Sequence, residues 1–159
     1  MPMLPAQLDA VRDLLTSSRV LALALVVDES PIIGLLPFAV TPDSRGLIVH
    51  ASRLARHTKG LQPGAAFDAL LHEPMVEGVD ALRVRRLTLR GEVLPLEPDT
   101  PVHNAVRALY LMKFPEAEPV TTLGDFAFFL LRVQGGRLVT DFGAAANVTE
   151  ETLAALSEG

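Results

Sequence analysis

The stretch RVLALALVVDESPIIGLLPFAVTPDSRGLIVHAS, residues 19–52, decides how the chain folds. RVLALALVVDES, PIIGLLPFAV and GLIVHAS are apolar runs broken by DES-P and TPDSRG, whose Asp, Ser, Pro and Gly residues form turns. Such short runs between turn residues read as three strands. The first break is short enough to fold the first two strands into a hairpin.

On the N-terminal side, Leu8, Val11, Leu14 and Leu15 recur at helical spacing behind Pro5, which suits a first helical turn. This predicts a helix over about residues 5–17. On the C-terminal side, Leu54, Thr58 and Leu61 fall at i, i+4 and i+7. That spacing predicts a short helix with Ser52 as its N-cap, ended by Gly60 and Pro63. Ala65–Leu71 reads as a fourth strand and Leu82–Leu96 as a bent or bulged one. Val102, Val106, Leu109 and Lys113 predict a helix capped by Asp99 or Thr100 and stopped by Pro115. DFAFFLLRVQGGRLVTDFG, residues 125–143, reads as two strands joined at Gln134–Gly136, since paired glycines permit a tight hairpin. A last helix over about 149–157 starts at Thr149, with Thr152 where a full capping box has Glu. Hairpin-dominated strands with inserted helices predict a mainly β protein: a six- to seven-stranded antiparallel barrel with peripheral helices, in one domain over 1–159.

Composition narrows the function. A hydrophobic fraction of 49% over 159 residues supplies a sizeable core. With 19 acidic against 14 basic residues, a general affinity for nucleic acid is not expected, so any anion site must be local. No Cys is present, which removes disulfides, thiolate metal sites and a Cys nucleophile. The N-terminal residues lack a cationic start followed by an apolar stretch, and no apolar run reaches ~18 residues. A soluble, cytoplasmic protein with no membrane partner is the expectation.

The chain has no P-loop, GxGxxG, calcium loop or GxSxG elbow. Its local signal is SRLARHTKGLQPG, Ser52–Gly64, where Arg53, Arg56, His57 and Lys59 gather despite a net charge of −5. The cluster reads either as a solvated basic face or as an anion site, with Arg53 beside the free amides of a helix start capped by Ser52. His50 and His57 are too few for a zinc site, so no metal is expected, although one imidazole suffices for haem iron. In RVRRLTLRG, alternation sends Arg86 to the opposite face from Arg85. One guanidinium must then point inward, toward a flavin carbonyl, a phosphate or an internal acid.

Taken in order, HASRLARHTKGL with QPG, RRLTLRG, YLMKFPEAEPV and LGDFAFFLLRVQGGRLVTDFGAA resemble the haem-utilisation branch of the pyridoxamine-5′-phosphate-oxidase-like FMN-binding split-barrel proteins. The resemblance runs from about Arg19 to Ala146. It implies a split-barrel homodimer with ligand sites at the subunit interface. It also implies FMN as cofactor, with Ser52 and Arg53 at the phosphate, His50 near the strand-end contact and Arg86 facing the ring. His57, Thr58 and Lys59 match the motif special to the haem-utilisation branch, where haem is the alternative ligand and His50 or His57 the candidate iron ligand. Gly34, Ala39 and Leu54 stand where the vitamin oxidases place cationic cofactor contacts, and no C-terminal Trp and Arg follow Phe142. The resemblance therefore points away from pyridoxamine phosphate oxidation. It leaves three readings: a flavin-dependent oxidoreductase of unspecified substrate and catalytic residues, a haem-binding or haem-degrading protein, and a cofactor-free structural or regulatory dimer.

Overall fold

Asp28 and Glu29 both adopt positive φ, 51° and 62°, the conformation a two-residue hairpin turn requires. That turn joins β1 (Val20–Val27) to β2 (Ser30–Val40) with Val27 opposite Ser30. A computed structural model describes residues 2–159. The helix α1 spans Pro5–Ser17 as its spacing predicts, and buries Ala10, Val11, Leu14 and Leu15. After β2 come β3 (Gly46–Ser52), β4 (Ala66–His72) and β5 (Arg86–Leu94). The helices α2 (Pro101–Lys113) and α3 (Glu118–Thr121) lead into β6 (Phe126–Asp141), β7 (Ala144–Val148) and α4 (Glu150–Ser157).

The strand order is β3-β2-β1-β4-β5-β6-β7, and β3 also pairs with β6. Six antiparallel strands therefore close into a barrel and β7 extends it, so the expected mainly β barrel with peripheral helices is the fold observed. Alternation fills the interior: Leu21, Leu23 and Leu25 of β1 face Leu47 and Val49 of β3 and Leu87 and Leu89 of β5 in one cluster. Burying each such side chain contributes about 1.5–3 kcal/mol. A second cluster lies outside the barrel, where Val106, Tyr110 and Phe114 cover Ala39, Ile48 and Phe128. Strand β3 is consequently buried on both faces.

Three local expectations change. Ser52 is the last residue of β3 and caps no helix; the helix that follows is a short 3-10 segment, Arg56–Gly60, entered through a turn. Gln134–Gly136 is no hairpin, because β6 runs unbroken through it and neither glycine has positive φ. Those glycines instead allow close approach: a Cβ on Gly136 would stand 2.1 Å from the Thr88 carbonyl oxygen. The turn falls later, at Gly143 with φ 73°, and creates β7, which the sequence pattern did not reveal. Finally, Leu82–Leu96 is a shorter strand, preceded by a 3-10 turn at Ala81–Arg83, with the expected bulge between Arg90 and Gly91. The Thr149–Thr152 box is complete, since the Thr152 hydroxyl accepts from the Thr149 N–H.

Candidate functional site

Because α2 covers only part of the outer face of β3 and β6, a cleft remains beside it. It has a volume of about 770 Å³, within the usual range of ~300–1,000 Å³ for small-molecule sites. One wall is the segment after β3, with Arg53, Thr58 and Lys59; the other is α2, with His103, Asn104 and Arg107. The start of β6 supplies Phe126 and Phe128, and His50 closes the end of β3. Three cations thus face a single lining carboxylate, Asp99. Arg107 is oriented by a hydrogen bond of 3.2 Å from its Nη2 to the Thr121 hydroxyl.

His50 is 7% exposed. Its ring stacks on Phe126 at 5.2 Å and lies 4.5 Å from Phe128 and 5.6 Å from Tyr110, centroid to centroid. No protein group among the described residues hydrogen-bonds to it. Burial pushes its pKa below the ordinary histidine value, which keeps the imidazole neutral and a ring nitrogen free to act as an acceptor or metal ligand. The same burial, followed by the charge of Glu116, raises the Tyr110 hydroxyl.

Of the residues singled out in the sequence, the cleft brings together His50, Arg53, Thr58 and Lys59. The expected nest of free amides beside Arg53 is absent: the Arg53 N–H donates to the Asp125 carbonyl, Leu54 N–H to the Ser52 hydroxyl and Ala55 N–H to the Ser52 carbonyl. The Ser52 carbonyl also accepts from the Thr58 hydroxyl at 2.5 Å, so Ser52 braces the segment without lining the cleft. His57 turns the other way, across β2, where a Cβ on Gly34 would stand 2.8 Å from its Nδ1; its Nε2 is buried without a partner. Arg86 also lies outside the lining and donates to the carbonyls of Leu82 and Val84. Its neighbour Arg85 pairs with Glu73 at 2.9 Å in a partly exposed ion pair, not with an internal acid. The α2 residues were missed, although His103 and Arg107 stand at i and i+4 on one helical face. Among the described residues no three His, Cys, Asp or Glu side chains gather as a metal site, and no helix is long and apolar enough to cross a membrane.

No family model matches the chain, and no curated protein matches it. Solved structures do. A haem-binding protein from Mycobacterium smegmatis superposes with a TM-score of 0.80 at 25% identity, covering 97% of this chain and 62% of that one. This chain therefore spans less than two thirds of that relative. HutZ, the haem storage protein from Vibrio cholerae, gives a TM-score of 0.73 at 24% identity over 84% of this chain and 93% of its own. An FAD- and haem-binding protein from M. smegmatis gives 0.62 at 19% identity over 92% and 77%. The last two show the shared fold alone. Together these neighbours are haem-binding and flavin-binding proteins of one fold, the grouping that the ordered motifs resemble.

Proposed function

We propose that this protein binds haem in the cleft between α2 and the segment after β3, as a homodimer. The observation that carries the reading is His50: a neutral, nine-tenths buried imidazole on the cleft wall with aromatic neighbours and no hydrogen-bond partner. Haem, when bound, brings iron-centred ligand-binding and redox chemistry. The chain's part is to offer the His50 ring nitrogen, to exclude water with Phe126 and Phe128, and to hold carboxylates through Arg53, Lys59 and Arg107. Arg107, fixed by Thr121, presents a preoriented guanidinium. The similarity to a haem-binding protein at 25% identity is further support.

Dimerisation is supported by an apolar face. On the outer surface of β1, β2 and β4, Val26, Ile33 and Leu35 are 64%, 67% and 69% exposed and Leu70 is 39% exposed. Leu35, Ala22 and Leu70 stand in register across the three strands, so the patch is continuous. Contiguous apolar surface of this kind marks interaction sites.

FMN is the second reading, favoured by the excess of cations in the cleft. A phosphate there would not find the amides of Arg53, Leu54 and Ala55, which are already bonded. One set of titrations separates the readings. Haem added to the wild type should give a Soret band that shifts on binding, and His50→Phe, which preserves the ring packing, should lose that shift and bind at least tenfold more weakly. An identical spectrum and affinity in a folded His50→Phe protein would rule out this ligand. In the FMN arm, Arg53→Ala should weaken FMN by roughly ten- to a hundredfold, for a charge-assisted bond of about 1.5–3 kcal/mol, and leave riboflavin little changed. Arg56, exposed and outside the lining, is the control.

A further inference from the structure

Helix α2 stands between two clefts. The first runs along its His103, Asn104 and Arg107; on the other side a second, of about 430 Å³, runs along its Leu109 and Met112, and the two share no lining residue. Undercut on both sides, the helix meets the barrel along a narrow seam. Of its 13 residues only Val106 and Tyr110 are buried, and Phe114 follows as a buried C-cap. Helices of this length draw most of their stability from packing, so the position of α2 depends on few contacts.

Lys113 makes the contact at its C-terminal end. The Lys113 Nζ donates to the Ser18 carbonyl at 2.6 Å and lies 4.1 Å from the centre of the Phe38 ring and 5.5 Å from that of Phe114. One ammonium thereby ties α2 to β2 and to the junction of α1 with β1. Both kinds of contact need the charge: the carbonyl accepts from a cation, and the ring face attracts one. Among the described residues no carboxylate pairs with it, and Glu116, three residues on, is taken by Arg19. Desolvation, then the charge of Arg19, lowers the Lys113 pKa to about 8, so the cation is held there against its own hydration.

This seam leads to the first cleft. Tyr110, about one turn before Lys113, packs its ring 5.6 Å from that of His50 and 5.3 Å from that of Phe128, centroid to centroid. Arg107, a further turn back, lines the cleft. We propose that Lys113 is a positioning residue for this cleft: clamped between the Ser18 carbonyl and the Phe38 ring, it fixes where α2 lies, and so keeps Tyr110 against His50 and water away from the imidazole. The inference goes beyond the haem reading, and only the haem arm of its test rests on that reading.

The test is the titration of the His50 ring by NMR in ligand-free protein, with the resonance assigned by its loss in His50→Phe. Lys113→Met keeps an unbranched apolar side chain and removes the charge; Lys113→Gln takes its place if that protein does not fold. Once α2 loosens, water reaches His50, and its pKa should rise from the lowered value toward the ordinary one near ~6.5. Lys113→Arg, whose guanidinium keeps the charge and stacks on aromatic rings, should hold it low. A lysine that contributed stability alone would lower the melting temperature of Lys113→Met and leave the His50 titration of the folded protein unmoved. That result, or Lys113→Arg behaving as Lys113→Met does, would overturn the proposal. In the haem arm, Lys113→Met should bind haem about tenfold more weakly and Lys113→Arg within about threefold of the wild type. A wild type that binds no haem would remove the haem reading, while the His50 titration, read without ligand, decides the role of Lys113 on its own.

Discussion

At the scale of single residues, burial sets His50 apart. It holds the His50 imidazole below the ordinary histidine range, with no acceptor or acid to favour the charged form. In the unfolded chain the same ring titrates near 6.5. Below that pH the unfolded state takes up a proton that the folded state refuses, so stability rises with pH through this window and falls on acidification. Urea unfolding at pH 7 and pH 5 should show the loss, and His50→Phe should reduce it. The lowered carboxyls, Asp43 and Glu73, act at more acidic pH, because their unfolded values lie near 4. A pH 7 to 5 difference unchanged by His50→Phe would contradict the buried, neutral assignment. His57 instead packs over Gly34, and its placement depends on the missing Cβ there. That histidine and His50 look equivalent in sequence, seven residues apart in one basic stretch. What separates them is which side of β3 and β2 each ring meets.

At the scale of elements, the lesson is β6. A Gly-Gly pair in an alternating run suggests a hairpin, but here each glycine admits a neighbour to the strand surface. Gly136 lies against Thr88 of β5, and Gly135 against the Val148 carbonyl of β7 and the Arg90 guanidinium. Gly136→Ala should therefore destabilise the protein by about 1–3 kcal/mol or more through overpacking against backbone. A thermal melt reads the loss; an unchanged midpoint would contradict the close approach of Gly136 to the Thr88 carbonyl. Local signals were reliable where the element's own backbone decides it. Pro5, Thr100 and Thr149 start their helices as their side chains require, and Thr100 and Thr149 accept from the third residue on. Removing the Thr149 hydroxyl should cost about 1 kcal/mol. Ser52 failed as a cap because β3 pairs with β6 up to Ser52 opposite Phe126, a partner far away in sequence.

At the scale of the whole molecule, closure of the barrel by β3 and β6 places the cleft beside α2 where it is. That pairing brings His50 opposite Phe128 and sets the start of β6 beside the basic segment. It also leaves the outer face of β1, β2 and β4 bare. Sedimentation of dilute protein should give a dimer, and Leu35→Asp, at a 69% exposed position, should give a folded monomer. A stable wild-type monomer would remove the proposed assembly. The sequence by itself determined the strand and helix spacing, the first hairpin, the barrel class and the basic cluster after β3, because periodicity, caps and turn residues act within a few residues of chain. Only the tertiary structure decided that β6 is one strand, that Ser52 ends a strand, that His57 and Arg86 lie outside the cleft, and that α2 supplies its second wall. Those outcomes depend on contacts between segments distant in the chain, where burial and register outweigh local preference.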